Sequence, residues 1–181
     1  HERWLWLYAN DIIDNSKEFE FITKPQLKKA GIPLKEIREI YRRFGQCSYF
    51  KYGDDYYLVT HGGISTMPEN MIFTPTKQMI FGVGYYNDVG QCDESFCVHT
   101  DLNTYQIHGH RNVANSPVQS ASRAFNLEGD IEFGGELRVV QITPEGRTTV
   151  CTQNTVCKDP TQIAEETIAT QNLNTDNSVY Q

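Results

Sequence analysis

The stretch "YYLVTHGGIS", residues 56–65, joins an apolar run to a histidine and then to two glycines. The run is rich in aromatic and β-branched residues, which favours a β-strand. Glycines directly after His61 let the backbone turn sharply and leave open space beside the imidazole. The stretch therefore predicts a strand that ends by presenting a histidine on a turn with almost no side chains.

A second stretch repeats this design. "TYQIHGH", residues 104–110, predicts a strand that ends on Gly109 and His110. Neutral imidazole is a common ligand of divalent transition metals, although a lone histidine more often serves as a hydrogen-bonded structural residue. Two separate strand-histidine-glycine turns favour a shared site, so we take His61 and His110 as candidate metal ligands.

The order of predicted elements indicates a mixed α/β or α+β domain, with helices first and short strands after them. Apolar residues recur at helical spacing in the first 45 residues, and the period then changes to that of strands. The predicted elements are helices over residues 2–15 and 31–45, a β-hairpin turning at Gly53-Asp54, a short helix over 75–82, a loop over 82–95, and strands between 124 and 149 with a turn at 144–146.

Length and composition are those of one soluble domain: 181 residues, 39% hydrophobic, with a net charge of −7. The sequence has no apolar run of the roughly 20 residues that span a bilayer, so we expect a cytoplasmic protein with no membrane partner. The chain opens on His1 rather than Met, which predicts that it begins inside a longer protein. We place a domain over residues 1–148 and a polar linker or disordered tail over 149–181, where large apolar residues become rare.

Four segments, in this order, resemble motifs of the calcineurin-like metallophosphoesterase superfamily, especially the branch of Ser/Thr protein phosphatases and dinucleoside polyphosphate hydrolases. "HERWL" at the start resembles the end of the family motif GNHE, and "VTHGGIS" resembles the HGG motif. "IHGHRNV" is similar to the later GH motif, and "GDIEFGGELRVVQI" to the glycine-containing hairpin that follows it. The resemblance implies an αββα sandwich of two mixed sheets flanked by helices, here lacking its first strands.

The resemblance also implies chemistry and roles. The reaction is hydrolysis of a phosphate ester by a hydroxide that two divalent ions activate, with Mn²⁺ expected and Fe, Zn, Ni or Mg as alternatives. His61 and His110 would each give a nitrogen to the second ion, and His1 would act as general acid beside the leaving group. Glu2 would hold the local geometry, and His108 would support the site from outside the ligand shell or serve the structure alone.

The same resemblance places the remaining metal ligands upstream of His1. We therefore expect this chain to be an incomplete fragment and inactive by itself. The motif style resembles the phosphatase modules of polynucleotide kinase-phosphatase and RNA-repair proteins, in which a kinase or ligase domain is fused. The substrate classes are then a phosphoprotein, a nucleotide or a nucleic-acid end.

Two alternatives belong to other classes of protein. One is a noncatalytic binding or scaffold module on the same fold. The other is a zinc-stabilised structural domain that uses Cys92, Cys97 and His99, although this spacing fits no standard zinc module. The five cysteines are an odd number, and without secretory signals we expect free thiols.

Overall fold

The computed structural model describes residues 2–12, 16–111, 117–131 and 134–153. His1 and the residues after Gln153 lie outside these ranges. The described residues belong to two compact units, one ending at Phe44 and the other beginning at Gly45. The predicted domain of residues 1–148 spans both units, and each unit is described by itself.

The first unit is helical. Trp6 stacks on Tyr41 with 5.1 Å between ring centroids, and the Arg38 guanidinium donates to the carbonyl of Ala9. Ile37 is buried on the same helical face as Tyr41, as its spacing predicts. The two predicted helices are confirmed and are shorter than expected, whereas the helical segment between them was not predicted. Its elements are α1 (Glu2–Ala9), one π-helical turn (Phe19–Thr23), α2 (Lys24–Lys29) and α3 (Leu34–Tyr41).

The second unit contains seven described strands: β1 (Cys47–Tyr52), β2 (Asp55–Thr60), β3 (Thr104–His108), β4 (Gln119–Ala121), β5 (Ala124–Asn126), β6 (Glu136–Thr143) and β7 (Gly146–Gln153). They form a mixed five-stranded sheet in the order β1-β2-β3-β5-β4 and a two-stranded hairpin of β6 and β7. β2, β3 and β5 run parallel, whereas β1 and β4 are antiparallel to their neighbours. The predicted hairpin at Gly53-Asp54 and the predicted turn at 144–146 are therefore confirmed.

Alternate residues of each strand face opposite sides of the five-stranded sheet. Tyr57, Ile107 and Phe125 form a buried cluster on one side, where Val140 and Ile142 of β6 pack against them. On the other side, Leu58 of β2 joins Ile64 and Phe96 in a second cluster. Phe96 belongs to α5 (Val89–Val98), so the sheet lies between the β6–β7 hairpin and this helix. A mixed α/β class is confirmed.

Helix α5 overturns one prediction. Its first two turns were expected to be loop, because glycine, asparagine and aspartate are dense over residues 82–95. The helix forms because Val89, Cys92 and Phe96 fall on one face and are all buried. The short helix predicted over 75–82 is confirmed as α4 (Thr76–Phe81), and a 3₁₀ turn precedes it (Met71–Phe73).

The boundary at residue 148 is wrong for the residues directly after it. Strand β7 continues to Gln153, which pairs with Glu136 across the hairpin. Residues 149–153 are therefore strand rather than tail, because they pair with residues 136–140 of β6 and so satisfy the backbone hydrogen-bonding groups of that strand. The remainder of the predicted tail lies outside the described residues. Among those that are described, every helix is too short or too polar to cross a bilayer.

Candidate functional site

His61 and His110 lie side by side at one edge of the five-stranded sheet. His61 follows the last residue of β2, and His110 comes two residues after the end of β3. These strands are parallel, with Tyr56 beside Thr104, so their carboxyl ends reach the same edge. The imidazole ring centroids are 4.7 Å apart, with 39° between the ring planes. Ligands in open α/β sheets commonly bind at this edge.

The separation of the two rings fits joint binding of one metal ion. For metal–nitrogen bonds of about 2.1 Å, two imidazoles at about 90–110° around an ion have centroids roughly 4.5–5.2 Å apart. The observed 4.7 Å lies within this range. His61 is exposed and His110 is half-buried, so a shared ion would keep open positions for further ligands.

The backbone of His110 is held in an uncommon conformation. Its φ is +65°, in the left-handed region that few residues other than glycine adopt. Glu128 secures it: Oε2 of this carboxylate accepts from the His110 amide at 2.9 Å, and Oε1 accepts from the Asp130 amide at 3.0 Å. Strained conformations of this kind persist where surrounding contacts over-determine them, and they are concentrated at functional sites.

Sequence reasoning missed Glu128, which follows β5 by two residues. Because β5 is parallel to β3, its carboxyl end reaches the same edge as the two histidines. The signal that could have found it is an acidic residue just beyond the third parallel strand. That signal depends on knowing that β5 pairs with β3.

The electrostatic surroundings favour neutral His110. Burial lowers the pKa of its imidazole, the neighbouring His61 and Arg111 lower it further, and the Glu128 carboxylate opposes them. A depressed pKa keeps the ring uncharged at neutral pH, and the uncharged ring is the form that binds a metal ion.

The two glycines after His61 have different tasks. A Cβ on Gly62 would overlap the backbone of Phe81 and Gly82, against which this residue packs, and the Gly62 amide donates to the Met79 carbonyl at 2.9 Å. Gly63 has φ +77° and lies against the ring of His108. One glycine thus permits close backbone approach, and the other permits the turn itself.

A cavity of about 470 Å³ opens beside His110. Phe81 and Tyr86 meet the His110 ring edge-on at centroid distances of 5.8 and 5.7 Å, and both line the cavity. Lys77 contributes a positive charge to its wall. The cavity therefore combines aromatic surface with one positive charge beside His110.

The other predicted site residues are Glu2, His1 and His108. Glu2 begins α1 in the first unit and is exposed, and His1 lies outside the described residues. His108 is on the site's own strand but is 2% exposed, and its Nε2 lies 3.0 Å from Oδ1 of Asp93. Its ring therefore faces the interior between β3 and α5, in keeping with a supporting role.

Cys92, Cys97 and His99 do not form a group that could hold a metal ion, over the part of the chain that the structure describes. Cys92 is buried, which raises the pKa of its thiol to about 11, and Cys97 lies five positions further along the helix. His99 contacts its own helix instead, with Nδ1 2.9 Å from the Ser95 carbonyl oxygen. Over the ranges that the structure describes, no cluster of three or more His, Cys, Asp or Glu residues is arranged to hold a metal.

Comparison of the chain with protein-family models, with curated proteins and with solved structures finds no match.

Proposed function

We propose that this chain is part of a metal-dependent phosphoesterase of the calcineurin-like type, which hydrolyses phosphate esters. The observation that carries the proposal is the pair of imidazoles of His61 and His110, 4.7 Å apart at the carboxyl ends of adjacent parallel strands. The β6–β7 hairpin, the mixed sheet and α5 are compatible with one side of an αββα sandwich whose first strands are expected upstream.

The donor set fits one of the two divalent ions that the proposal needs. Imidazole nitrogens of His61 and His110 would bind it, with Mn²⁺ as the expected ion because aspartate oxygens are expected among the remaining ligands. A bound pair of divalent ions supplies polarisation of the phosphoryl group and a hydroxide nucleophile at neutral pH. The ligands of the first ion belong, in this proposal, to the segment before His1.

The chain's own residues account for orientation and charge. Arg111, which is buried, and Lys77 at the cavity place two positive charges near His110, against the carboxylate of Glu128, which favours an anionic phosphate. Phe81 and Tyr86 offer an apolar wall to the organic part of the ester. In this proposal His1 donates a proton to the departing alkoxide and Glu2 holds it in place.

Metal binding by the 181-residue chain tests the proposed ligands directly. We expect Mn²⁺ to broaden the NMR signals of His61 and His110 before those of any other histidine. His61→Ala and His110→Ala should each weaken Mn²⁺ binding by at least about tenfold. His99→Ala is the matched control, because this histidine is exposed and its imidazole lies against Ser95 of α5. Equal losses in all three variants would contradict the assignment.

The proposed activity is tested on a polypeptide that includes the segment in which this proposal places the ligands of the first ion. We expect Mn²⁺-dependent hydrolysis of para-nitrophenyl phosphate by the extended protein, loss of activity in EDTA, and none in the 181-residue chain. In the extended protein, His1→Ala should lower turnover by about 10²–10⁴ while metal content stays unchanged. Bound metal without turnover on aryl, nucleotide or phosphopeptide esters would instead identify a noncatalytic binding module.

A further inference from the structure

Three polar side chains form a buried network behind the turn that follows His61. Asp93 of α5 and Gln106 of β3 are 0% exposed, and His108 of β3 is 2% exposed. Gln106 and His108 are two positions apart on one strand, so both face the helix. Buried polar groups are costly unless each finds a partner, so a fully bonded network of this kind specifies one arrangement of its elements.

The partners define which atoms donate. Oδ1 of Asp93 accepts from Nε2 of Gln106 at 2.7 Å and lies 3.0 Å from Nε2 of His108. Oδ2 lies 3.1 Å from the same histidine nitrogen. Since a carboxylate only accepts, Nε2 of His108 carries a proton and donates it. The Gln106 amide nitrogen is also committed to Asp93, so its oxygen must point the other way.

The side-chain oxygen of Gln106 holds the turn that follows His61. Oε1 of Gln106 accepts from the backbone amide of Ile64 at 2.9 Å, three residues after His61. The ring of His108 lies against Gly63, so closely that a Cβ there would come within 3.0 Å of the ring. The Gly63 amide donates to the Thr60 hydroxyl at 3.1 Å. Two of the network's three members thus touch the turn that carries His61.

We propose that Asp93 is a positioning residue. By orienting Gln106 and His108 together, it sets the conformation of residues 61–64 and with it the placement of His61 beside His110. The effect on the backbone does not depend on any metal. The consequence for metal binding rests on the proposed function.

Asp93→Leu is the informative variant because it keeps the branched shape of the side chain and removes both carboxylate oxygens. Nε2 of Gln106 and Nε2 of His108 then lose their common acceptor. Asp93→Asn alone is not disruptive, because neutral His108 can carry its proton on Nδ1, which lies 3.2 Å from the Gly109 carbonyl oxygen, and accept at Nε2. Combining Asp93→Asn with Gln106→Glu exchanges donor and acceptor between the two side chains, so their bond can form again while a carboxylate oxygen still accepts from Ile64.

The test is amide hydrogen exchange measured by NMR on the 181-residue chain. We expect Asp93→Leu to speed exchange at the Ile64 amide by about tenfold, the effect of losing one buried hydrogen bond. The double variant should return it to within about threefold of wild type. Ile107→Val is the control, because it trims the opposite face of the same strand. In wild type, the ring ¹⁵N shifts of His108 should report a protonated Nε2.

Acceleration at Ile64 no greater in Asp93→Leu than in Ile107→Val would overturn the proposal. A double variant that exchanges as fast as Asp93→Leu would overturn it as well. Mn²⁺ titration of the same samples separates this from the proposed function. We expect Asp93→Leu to weaken Mn²⁺ binding about tenfold. Wild-type chain that shows the predicted exchange pattern but binds no Mn²⁺ would support the positioning network and reject the proposed metal site.

Discussion

Substitution of Gly63 by alanine should destabilise the second unit strongly. Gly63 has φ +77°, and an L-residue in the left-handed region costs about 1–2 kcal/mol. A Cβ would also stand 3.0–3.2 Å from Cγ, Cδ2 and Nδ1 of His108. The ring cannot retreat easily because Asp93 holds its far side, so we add about 1–3 kcal/mol for overpacking. The expected loss for Gly63→Ala is then about 2–5 kcal/mol.

Gly53→Ala is the matched control. Gly53 lies in the β1–β2 turn with φ +62°, and a Cβ there would meet nothing within 4 Å. Gly53→Ala should therefore lose only about 1–2 kcal/mol of stability, the free-energy cost of placing an L-residue at a positive φ. The difference between the two variants therefore isolates the contact with His108, and we expect it to be about 1–3 kcal/mol.

The assay is urea denaturation followed by NMR signals of the second unit. Both tryptophans, Trp4 and Trp6, belong to the first unit, so tryptophan fluorescence would report the wrong part of the chain. The midpoint should fall while the slope with urea stays the same, as for a change in stability alone. If Gly63→Ala were no more destabilising than Gly53→Ala, the packing of His108 against the turn would be refuted.

Three further predictions concern single groups. In metal-free buffer His110 should titrate by NMR below the ordinary histidine pKa of about 6.5, and His61→Ala should raise its pKa because a neighbouring positive charge disappears. The unfolded chain then binds more protons than the folded one just below about pH 6.5, so stability should fall as the pH drops through that region. Arg147→Lys should lower the free energy of unfolding, measured by urea denaturation, by about 1–2 kcal/mol. The Arg147 Cζ atom lies 3.6 Å from the centroid of the Tyr105 ring, and lysine cannot make this flat contact. Iodoacetamide at pH 8 should modify exposed Cys151 and leave Cys92 unmodified, because burial raises the pKa of the Cys92 thiol to about 11. Mass spectrometry measures the labelling of each cysteine, and equal labelling would contradict the burial of Cys92.

The phosphate-ester hypothesis and the positioning network depend on different observations. The hypothesis combines the HGG and GH resemblances with the proximity of His61 and His110. The network depends on the hydrogen bonds of Asp93, on the bond from the Ile64 amide to Gln106, and on the packing of Gly63. Because exchange at Ile64 needs no metal, one result can fail while the other stands.

Local chemistry in the sequence determined several elements by itself. Gly53-Asp54 between two aromatic runs specifies a hairpin, because glycine adopts the positive φ that the tight turn requires. The same kind of signal marks the turn at 144–146 between β6 and β7. The placement of His61 and His110 just beyond strand ends also followed from the switch from apolar residues to glycine. These features need no information beyond a few neighbouring residues.

Tertiary structure alone decided the rest. Residues 89–98 are poor in strong helix formers, and α5 forms because the sheet buries Val89, Cys92 and Phe96. Pairing of β2 with β3 joins segments more than 40 residues apart, and only that pairing brings His61 within 4.7 Å of His110. Local sequence patterns extend over a few residues, whereas parallel pairing and helix burial lower the free energy through contacts between distant segments. For the same reason the roles of Asp93 and Glu128 become visible only when the strands are assembled.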